Sequence, residues 1–567
     1  MKRKLDRVAT ARRSSHSAGL VPALFATTLL CTYTGSTQAF EVDTGNSDVK
    51  LRWDNTVKYS TAFRVKGQDT EVSGPNAGNG NPNLDDGDRN FHRGMISNRL
   101  DLLSEFDVRY QDVGARVSAA AWYDSIYNRS NANNSPATAN SFSVPSDQFT
   151  RDTEKMQGRK AELLDAFVFG KVTPGDTLLN LRAGRFTQLY GESLFFGGNG
   201  IAAAQTAPDI IKALSVPNSQ FKEILMPVGQ LSAQWQLTPQ ISAGAYYQYE
   251  WRKARLPAAG SYFSFGDFLD AGGERVLAGQ PLVPGGGPAA FFRGADLTAR
   301  DSGQGGMQFK FKVADTEYGI YAARFHDKFP QFYFRPGVGG VNPATGRIGD
   351  YVLVYGQDIK VYGASFSTVV GETNVAGEVS IRRNMPLTAT GNVVVDPTGT
   401  GDGRGNPLYP VGNTFHAQLS AISVLPASPL WQGASFVSEI AFNRRLSITK
   451  NASQLDPNVT RDASAVRFVF QPEYFQVLPG LDIQVPLGVG FGLSGFSSVN
   501  GVGMPARRTG DLSFGIKGTY QKVWNGSLTF THFYGKGGGV IDGSAQLTGN
   551  QVYKDRDFVA LSIQRTF

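Results

Sequence analysis

The chain has 567 residues, of which 41% are hydrophobic and 11% aromatic, and a formal charge of +7 from 55 Lys and Arg against 48 Asp and Glu. Residues 1–39 hold six of the bases and one of the acids, so the remainder carries 49 bases against 47 acids, which gives no argument for a nucleic-acid partner. The only cysteine is Cys31, and no run of 18 apolar residues follows residue 39. Disulfides, cysteine–metal sites and helical membrane spans are therefore excluded from residues 40–567.

Residues 1–39 are predicted to be a signal peptide. A basic segment precedes the apolar run Ala18–Cys31, and small residues follow up to Ala39. The alternative is an amino-terminal transmembrane anchor, but the apolar run is short and no stop-transfer charges follow it. The rest of the chain, 40–567, shows no linker or shift of composition, and we predict that it forms a single domain.

The first predicted strand lies in "SDVKLRWDNTVKYSTAFRVK", Ser47–Lys66, where apolar and polar residues alternate. This period of two is typical of a two-faced strand. An ordinary strand has about five or six residues, and this alternation lasts about three times as long. The same pattern recurs to the carboxyl end, where "FVALSIQRTF" closes on Phe567. A terminal aromatic on an alternating last strand resembles the signal read by the barrel assembly machinery, which we therefore expect as a partner.

Short and long connections alternate between the predicted strands. Eight tight turns are predicted near residues 112, 174, 239, 315, 372, 429, 480 and 524. Nine longer connections, rich in Gly, Pro, Asn, Asp and Ser, are predicted at about 66–95, 128–160, 191–228, 254–303, 328–351, 386–412, 447–462, 494–509 and 537–555. Seventeen connections imply about 18 strands. The fold class is therefore all-β, a transmembrane antiparallel β-barrel with short periplasmic turns and long extracellular loops. A soluble sandwich or propeller is the alternative, although its strands would be shorter.

The polar faces of the strands provide the predicted pore lining. The candidates are Lys50, Arg52, Lys58, Asp101, Glu105, Asp107, Arg109, Arg116, Arg182, Arg382, Arg445 and Arg467. Glu378 and Glu439 also lie on the predicted inward faces. Charges of both signs on neighbouring strands can pair and stiffen the wall. Unpaired arginines could instead select anionic solutes. The sequence leaves both interpretations open.

The third long connection is unusually apolar for a loop in water. A short helix is predicted to start near Thr206 and to end at Pro217. The residues of the predicted constriction are Glu192, Phe195, Phe196, Ile210, Ile211, Leu214 and Phe221. An 18-stranded barrel otherwise leaves an aqueous channel, so the lumen can bury such a segment. We predict that the connection folds into the lumen; a surface loop packed on its neighbours is the alternative.

Three stretches resemble domain-of-unknown-function family 1302: "FEVDTGNSDVKLRWDNTVKYS" at Phe40–Ser60, "LYGESLFFGG" at Leu189–Gly198 and "ARDSGQGGMQFKF" at Ala299–Phe311. The Gly-Glu-Ser element is the most specific part, although Tyr190 stands where the family pattern has Trp. The resemblance implies a porin-like outer-membrane protein of a proteobacterium. It also implies association with a periplasmic lipid-carrier-like protein and with export of hydrophobic molecules. It transfers no catalytic residue.

These observations predict a channel or facilitator for small hydrophobic or amphipathic anionic solutes in the outer membrane of a Gram-negative bacterium, after cleavage of the signal peptide. The alternatives are a structural or adhesive surface barrel, and an outer-membrane component of lipid traffic. An enzyme is not expected, because His416 on a polar face has no nucleophile motif beside it. No cofactor or metal is expected, since "DPTGTGDGRGN" lacks the spacing of a calcium loop. The expected partners are outer-membrane lipid and a small-molecule solute, with no nucleic acid.

Overall fold

The computed structural model describes residues 40–42, 44–73, 82–205 and 207–567. The predicted signal peptide, 1–39, lies outside the described residues. Eighteen antiparallel strands, numbered here β1–β18, form one sheet that closes on itself. The first nine are β1 (Val49–Arg64), β2 (Gly94–Tyr110), β3 (Val113–Asp124), β4 (Arg159–Val172), β5 (Leu178–Phe186), β6 (Val228–Thr238), β7 (Ile241–Gln248), β8 (Gln304–Val313) and β9 (Thr316–Phe325).

The remaining strands complete the ring. They are β10 (Ile359–Val370), β11 (Thr373–Pro386), β12 (Val411–Leu425), β13 (Gly433–Lys450), β14 (Asp462–Leu478), β15 (Leu481–Gln484 with Leu487–Ser494), β16 (Gly510–Tyr520), β17 (Trp524–Tyr534) and β18 (Phe558–Thr566). β15 is interrupted at Pro486, which has no backbone N–H to give to a neighbouring strand. β1 pairs with β2 on one side and with β18 on the other, and this pairing closes the barrel. The predicted strand number and antiparallel order are confirmed.

The connections alternate in length as predicted, with the eight short turns at one end and the nine long connections at the other. The largest difference between a predicted and an observed boundary is in the fifth long connection. The fifth long connection was placed at 328–351, but the structure extends it over 326–358. Its residues Arg347–Val354 form a strand, but this strand pairs with Gln331–Pro336 outside the barrel sheet.

Large apolar side chains cover the outside of the barrel and remain exposed. Trp53 is 50% exposed, Ile320 56% and Leu561 49%. Such a surface is costly in water and suits hydrocarbon, where only a closed sheet or a helix satisfies its backbone. No helix among the described residues has the length and apolar character needed to cross a membrane.

Three of the long connections build a second, five-stranded sheet. Its strands, in spatial order, are Arg275–Gly279, Ala289–Arg293, Arg347–Val354, Gln331–Pro336 and Val393–Val395. Tyr333, Val352 and Val354 are buried in one of its apolar clusters. Three long connections thus form a packed cap where the sequence predicted only loops.

Short helices and strands occupy the connections. The helical turns are Thr70–Ser73, Asp86–Arg89, Ser125–Asn128, Arg151–Thr153, Glu154–Gly158, Ile201–Ala204, Ile210–Ser215, Phe221–Ile224, Thr390–Asn392 and Ala452–Gln454. The remaining strands are Phe40–Val42, which pairs with β1, and the pair Ala207–Pro208 and Leu225–Met226.

Three buried aspartates join the first and fourth long connections. Asp267 accepts hydrogen bonds from the backbone N–H groups of Asp85 at 2.7 Å and Asp86 at 3.1 Å. Oxygens of all three carboxyls lie within 4.8 Å of one another. Burial raises the pKa of Asp85 to about 7 and that of Asp86 to about 6, and it raises the pKa of Asp267 well above its usual value.

This contact is expected to be more stable in mild acid than at neutral pH. The unfolded pKa of Asp is about 3.9, so between about pH 4 and 7 the folded state binds more protons than the unfolded state and stability falls as pH rises. Hydrogen exchange, corrected for its intrinsic pH dependence, should show stronger protection of 85–90 at about pH 5.5 than at about pH 7.5. Asp267→Asn should reduce that difference, whereas Asp315→Asn in a tight turn should leave it unchanged. Stronger protection at the higher pH would contradict the predicted loss of stability with rising pH.

Candidate functional site

The third long connection, residues 187–227, is the candidate functional site, and we call it the third connection. Its helix runs over Ile210–Ser215, and the Asp209 side chain caps it by accepting a hydrogen bond from the Lys212 N–H at 3.0 Å. The sequence placed the start of this helix near Thr206, which lies outside the described residues. A second turn, Phe221–Ile224, begins with a capping box between Gln220 and Glu223. The segment is thus folded internally as well as held by its surroundings.

One wall carboxylate holds the beginning of the third connection. Glu439 on β13 is 1% exposed and accepts hydrogen bonds from three consecutive backbone N–H groups. The donors are Leu194 at 3.0 Å, Phe195 at 2.6 Å and Phe196 at 2.7 Å. Because these amides are buried away from water, they need protein acceptors, and a carboxylate is a strong one.

A second wall carboxylate, Glu378 on β11, holds the Gly-Glu-Ser element. It accepts hydrogen bonds from the Glu192 N–H at 2.7 Å, the Ser193 hydroxyl at 3.0 Å and the Ile201 N–H at 2.8 Å. Gly191 has a φ of 89°, and a Cβ there would overlap a carboxylate oxygen of Glu378. The contact with Glu378 thus explains the glycine of the Gly-Glu-Ser element, because only a residue without a Cβ lets the backbone approach the carboxylate so closely.

Carbonyl groups of the third connection are held as well. Arg382 on β11 is 1% exposed and donates to the carbonyls of Gly198 at 3.0 Å and Gly200 at 2.7 Å. The structure thus places this predicted pore-lining arginine beneath the third connection, because its guanidinium satisfies buried carbonyls there.

His416 on β12 is also an anchor. Its Nδ1 lies 2.9 Å from Oδ1 of Asn199, which only accepts, so Nδ1 carries the proton. Its Nε2 then accepts from the Thr414 hydroxyl at 2.8 Å. Asn443 on β13 donates to the same Asn199 oxygen at 3.1 Å. Both ring nitrogens of His416 therefore have partners: Asn199 links the ring to the third connection, and Thr414 on the same strand fixes the orientation of the ring.

The third connection crosses the lumen from wall to wall. It leaves β5, but Tyr190 contacts the rings of Tyr246 on β7 and Tyr321 on β9, with centroids 5.3 Å and 6.2 Å away. Glu439 and Glu378 lie farther round, on β13 and β11. Asn218 donates to the Ser513 hydroxyl on β16 at 2.9 Å. Because these strands surround the lumen, the prediction that the connection folds inside is confirmed.

Most predicted constriction residues lie in packed positions. Phe196 is buried against Ala441 and Ala465, with Phe195 beside it. Phe221 packs against Ala202 and Ile224. Leu214 packs against the apolar cluster around Phe91, and Ile210 packs against the cluster around Leu256. Glu192 forms an ion pair with Lys310 at 3.5 Å, and Ile211 is half-buried.

The predicted pore-lining charges fall on the inward face, and several are paired. Arg116 bonds Glu105 and lies 3.3 Å from Asp107. Lys58 lies directly across from Asp101 on the neighbouring strand. Arg52 lies across from Asp107, and Lys50 lies across from Arg109. Arg467 is bonded to Asp511. Arg182 lies over the rings of Phe167 and Phe186, and Arg445 lies on β13. These contacts favour the ion-pair mesh for Arg116 and Arg467; selection of anionic solutes stays a prediction.

Sequence reasoning put Glu378, Glu439 and His416 on polar faces but missed that they anchor the third connection, and it missed Asn199 entirely. One signal was available. The stretch "GESLFFGGNG", Gly191–Gly200, has many backbone amides and few polar side chains to satisfy them once it is buried. Inward carboxylates on opposite strands are the acceptors such a stretch requires.

Comparison with solved structures gives barrels at low identity. OccAB4 of Acinetobacter baumannii is 9% identical with a TM-score of 0.40, covering 94% of this chain and 100% of that one. The outer membrane channel DcaP of Acinetobacter baumannii is 9% identical with a TM-score of 0.37, over 94% and 100%. OccK8 (OprE) of Pseudomonas aeruginosa is 9% identical with a TM-score of 0.37, over 91% and 98%. Similarity at this level carries no information about solute or mechanism.

No curated protein is detectably similar in sequence. A family model described as "Protein of unknown function (DUF1302)" matches residues 20–567, nearly the whole chain. The barrel and the Gly-Glu-Ser element held at its wall are therefore features of a chain that belongs to the DUF1302 family.

Proposed function

We propose that this protein is an outer-membrane channel or facilitator of a Gram-negative bacterium, and that the third connection limits what passes. The observation that carries the proposal is the crossing of the lumen by a segment whose backbone is bonded to Glu378 and Glu439. A barrel of 18 strands is wide enough for an aqueous channel unless something fills it. A segment fixed at several points on the wall is suited to narrowing the lumen to a defined size.

The side chains around this segment support small amphipathic anions as solutes. Phe195 and Ile211 are only half-buried, so the third connection keeps apolar surface available. Lys50 and Arg109 lie directly across from each other and add positive charge at the periplasmic end of β1 and β2, whereas the neighbouring Arg52 is paired with Asp54 at 2.6 Å. An apolar body with a carboxylate would find both features along one path.

Deleting Phe195–Met226 and joining the ends with a Gly-Ser linker is expected to raise single-channel conductance in planar bilayers several-fold, because the segment that fills the lumen is gone. The matched control removes 281–286 from an exposed extracellular hairpin and should leave conductance unchanged. If neither the intact protein nor the deletion conducts or carries an amphipathic anion into liposomes, the channel function is wrong. Adhesion of cells that depends on the long connections would then favour the alternative, a structural or adhesive surface barrel.

A further inference from the structure

Three cations stand side by side on neighbouring strands at the extracellular end of the barrel. Arg324 on β9 lies directly across from Lys360 on β10, and Lys360 lies directly across from Arg383 on β11. We call these three residues the basic row. Like charges directly opposite one another destabilise a sheet, so such a row needs a compensating anion.

The basic row belongs to the outward face of the barrel. The neighbouring residues Phe325, Val361 and Arg382 point inward and are at most 3% exposed. Along the same three strands, the exposed side of the sheet carries Ile320, Tyr362 and Ile381, which are 56%, 48% and 43% exposed. The basic row therefore lies where the apolar, lipid-facing surface ends, on the side of the long connections.

The protein itself neutralises little of this charge. Arg324 donates to Asp358 at 2.6 Å, but the same carboxylate also bonds Arg300 and lies 3.4 Å from Arg404. Within the part of the chain that the structure describes, the side chains of Lys360 and Arg383 have no ion pair or hydrogen bond. Asp358 thus pairs with three arginines, and Lys360 and Arg383 are left without an acidic partner among the described residues.

The space beside the row has room for a headgroup. A groove of about 420 Å³ lies between Arg324, Lys360 and Arg383 and is open to solvent. Its other lining residues are Asp358, Tyr362 and Asn384. Tyr362 joins this groove to the apolar surface below it. Charged donors thus lie above apolar side chains, in the order of headgroup and acyl chains in a membrane lipid.

We propose that the basic row binds the phosphate of a phosphorylated, acylated lipid of the outer leaflet, whose acyl chains lie along Ile320, Tyr362 and Ile381. The proposal rests on the outer-membrane location that the proposed function includes. Arginine forms paired hydrogen bonds with phosphate, and lysine adds a point charge. A free anion would use the charges but not the apolar strip, so the ligand class is a lipid.

Native mass spectrometry of the purified barrel in neutral detergent, titrated with bisphosphorylated lipid A, tests this site. The double variant Lys360→Gln/Arg383→Gln should bind at least about tenfold more weakly than the unchanged protein. Arg159→Gln is the matched control, because this exposed arginine lies at the same end of the barrel on β4. Lys360 and Arg383 are exposed and have no partner in the described part of the unchanged protein, so their replacement should not impair folding. The folded barrel of the double variant should therefore keep its heat-modifiable mobility in gel electrophoresis.

Each of three results would overturn the proposal. They are equal weakening by Arg159→Gln, equal binding of a dephosphorylated glycolipid, and displacement of the lipid by an equal concentration of inorganic phosphate. The last result would assign the row to a free anion. Conductance separates this proposal from the channel function: the double variant should lose lipid and keep its conductance, whereas failure of the channel function removes conductance from every variant.

Discussion

Replacing Glu439 with Gln is expected to loosen the third connection from the wall of the barrel. The carboxylate accepts three backbone N–H groups, from Leu194, Phe195 and Phe196. A glutamine keeps one acceptor oxygen, but its N–H₂ group cannot accept and would face the backbone N–H groups that the second carboxylate oxygen binds. Because a hydrogen bond to a charged group contributes about 1.5–3 kcal/mol, local opening should become easier by about 2–4 kcal/mol. Hydrogen exchange of these amides should accelerate accordingly, and single-channel recordings should become noisier.

Glu473→Gln is the matched control for this substitution. Glu473 also faces inward, on the neighbouring β14, but its carboxylate accepts from only two side chains among the described residues, those of Gln471 and Gln484. Its replacement should leave the exchange of 194–196 unchanged. Equal exchange in the unchanged protein and the Glu439 variant would show that the carboxylate does not hold the third connection.

Ile320→Arg is expected to destabilise the barrel in bilayers by about 2–4 kcal/mol, the cost of an arginine on the lipid face near the midplane. Ile320 lies in the middle of β9 and is 56% exposed on the outward face. The free energy of unfolding from vesicles, measured by urea titration, reports the effect.

Val341→Arg provides the comparison at similar exposure. Val341 is 58% exposed, but it lies in the fifth long connection, where an arginine meets water. It should change the free energy of unfolding by less than about 0.5 kcal/mol. If the two substitutions cost the same, the face that we assign to lipid is wrong.

The barrel could be predicted from the sequence because its information is local. A period of two along Val49–Arg64 defines a face, and the face repeats in every strand. Turn residues at short and long intervals then give the strand number. The third connection could be placed inside for a similar reason, since Phe195, Phe196 and Phe221 are too apolar for a loop in water.

The rest depends on contacts between distant residues. The pairing of Arg347–Val354 with Gln331–Pro336, and the parallel pairing with Ala289–Arg293, cannot be read from either segment alone. Alternation shows that Arg382 faces inward, but not that the carbonyls of Gly198 and Gly200 cover it. A face assignment therefore yields candidate residues, and only the path of the third connection separates anchors from residues open to the lumen.

Cross-linking from the third connection to the opposite wall tests the account most directly. Nδ2 of Asn218 lies 2.9 Å from Oγ of Ser513 on β16, so Asn218→Cys/Ser513→Cys, with Cys31 replaced by Ser, brings two thiols close together inside the lumen. A short bis-maleimide should link them within one folded barrel, and conductance should stay low after linking. Val341→Cys/Ser513→Cys should remain unlinked. If the two introduced thiols of the first variant react only singly while the barrel is folded, the third connection does not cross the lumen and cannot limit passage as proposed.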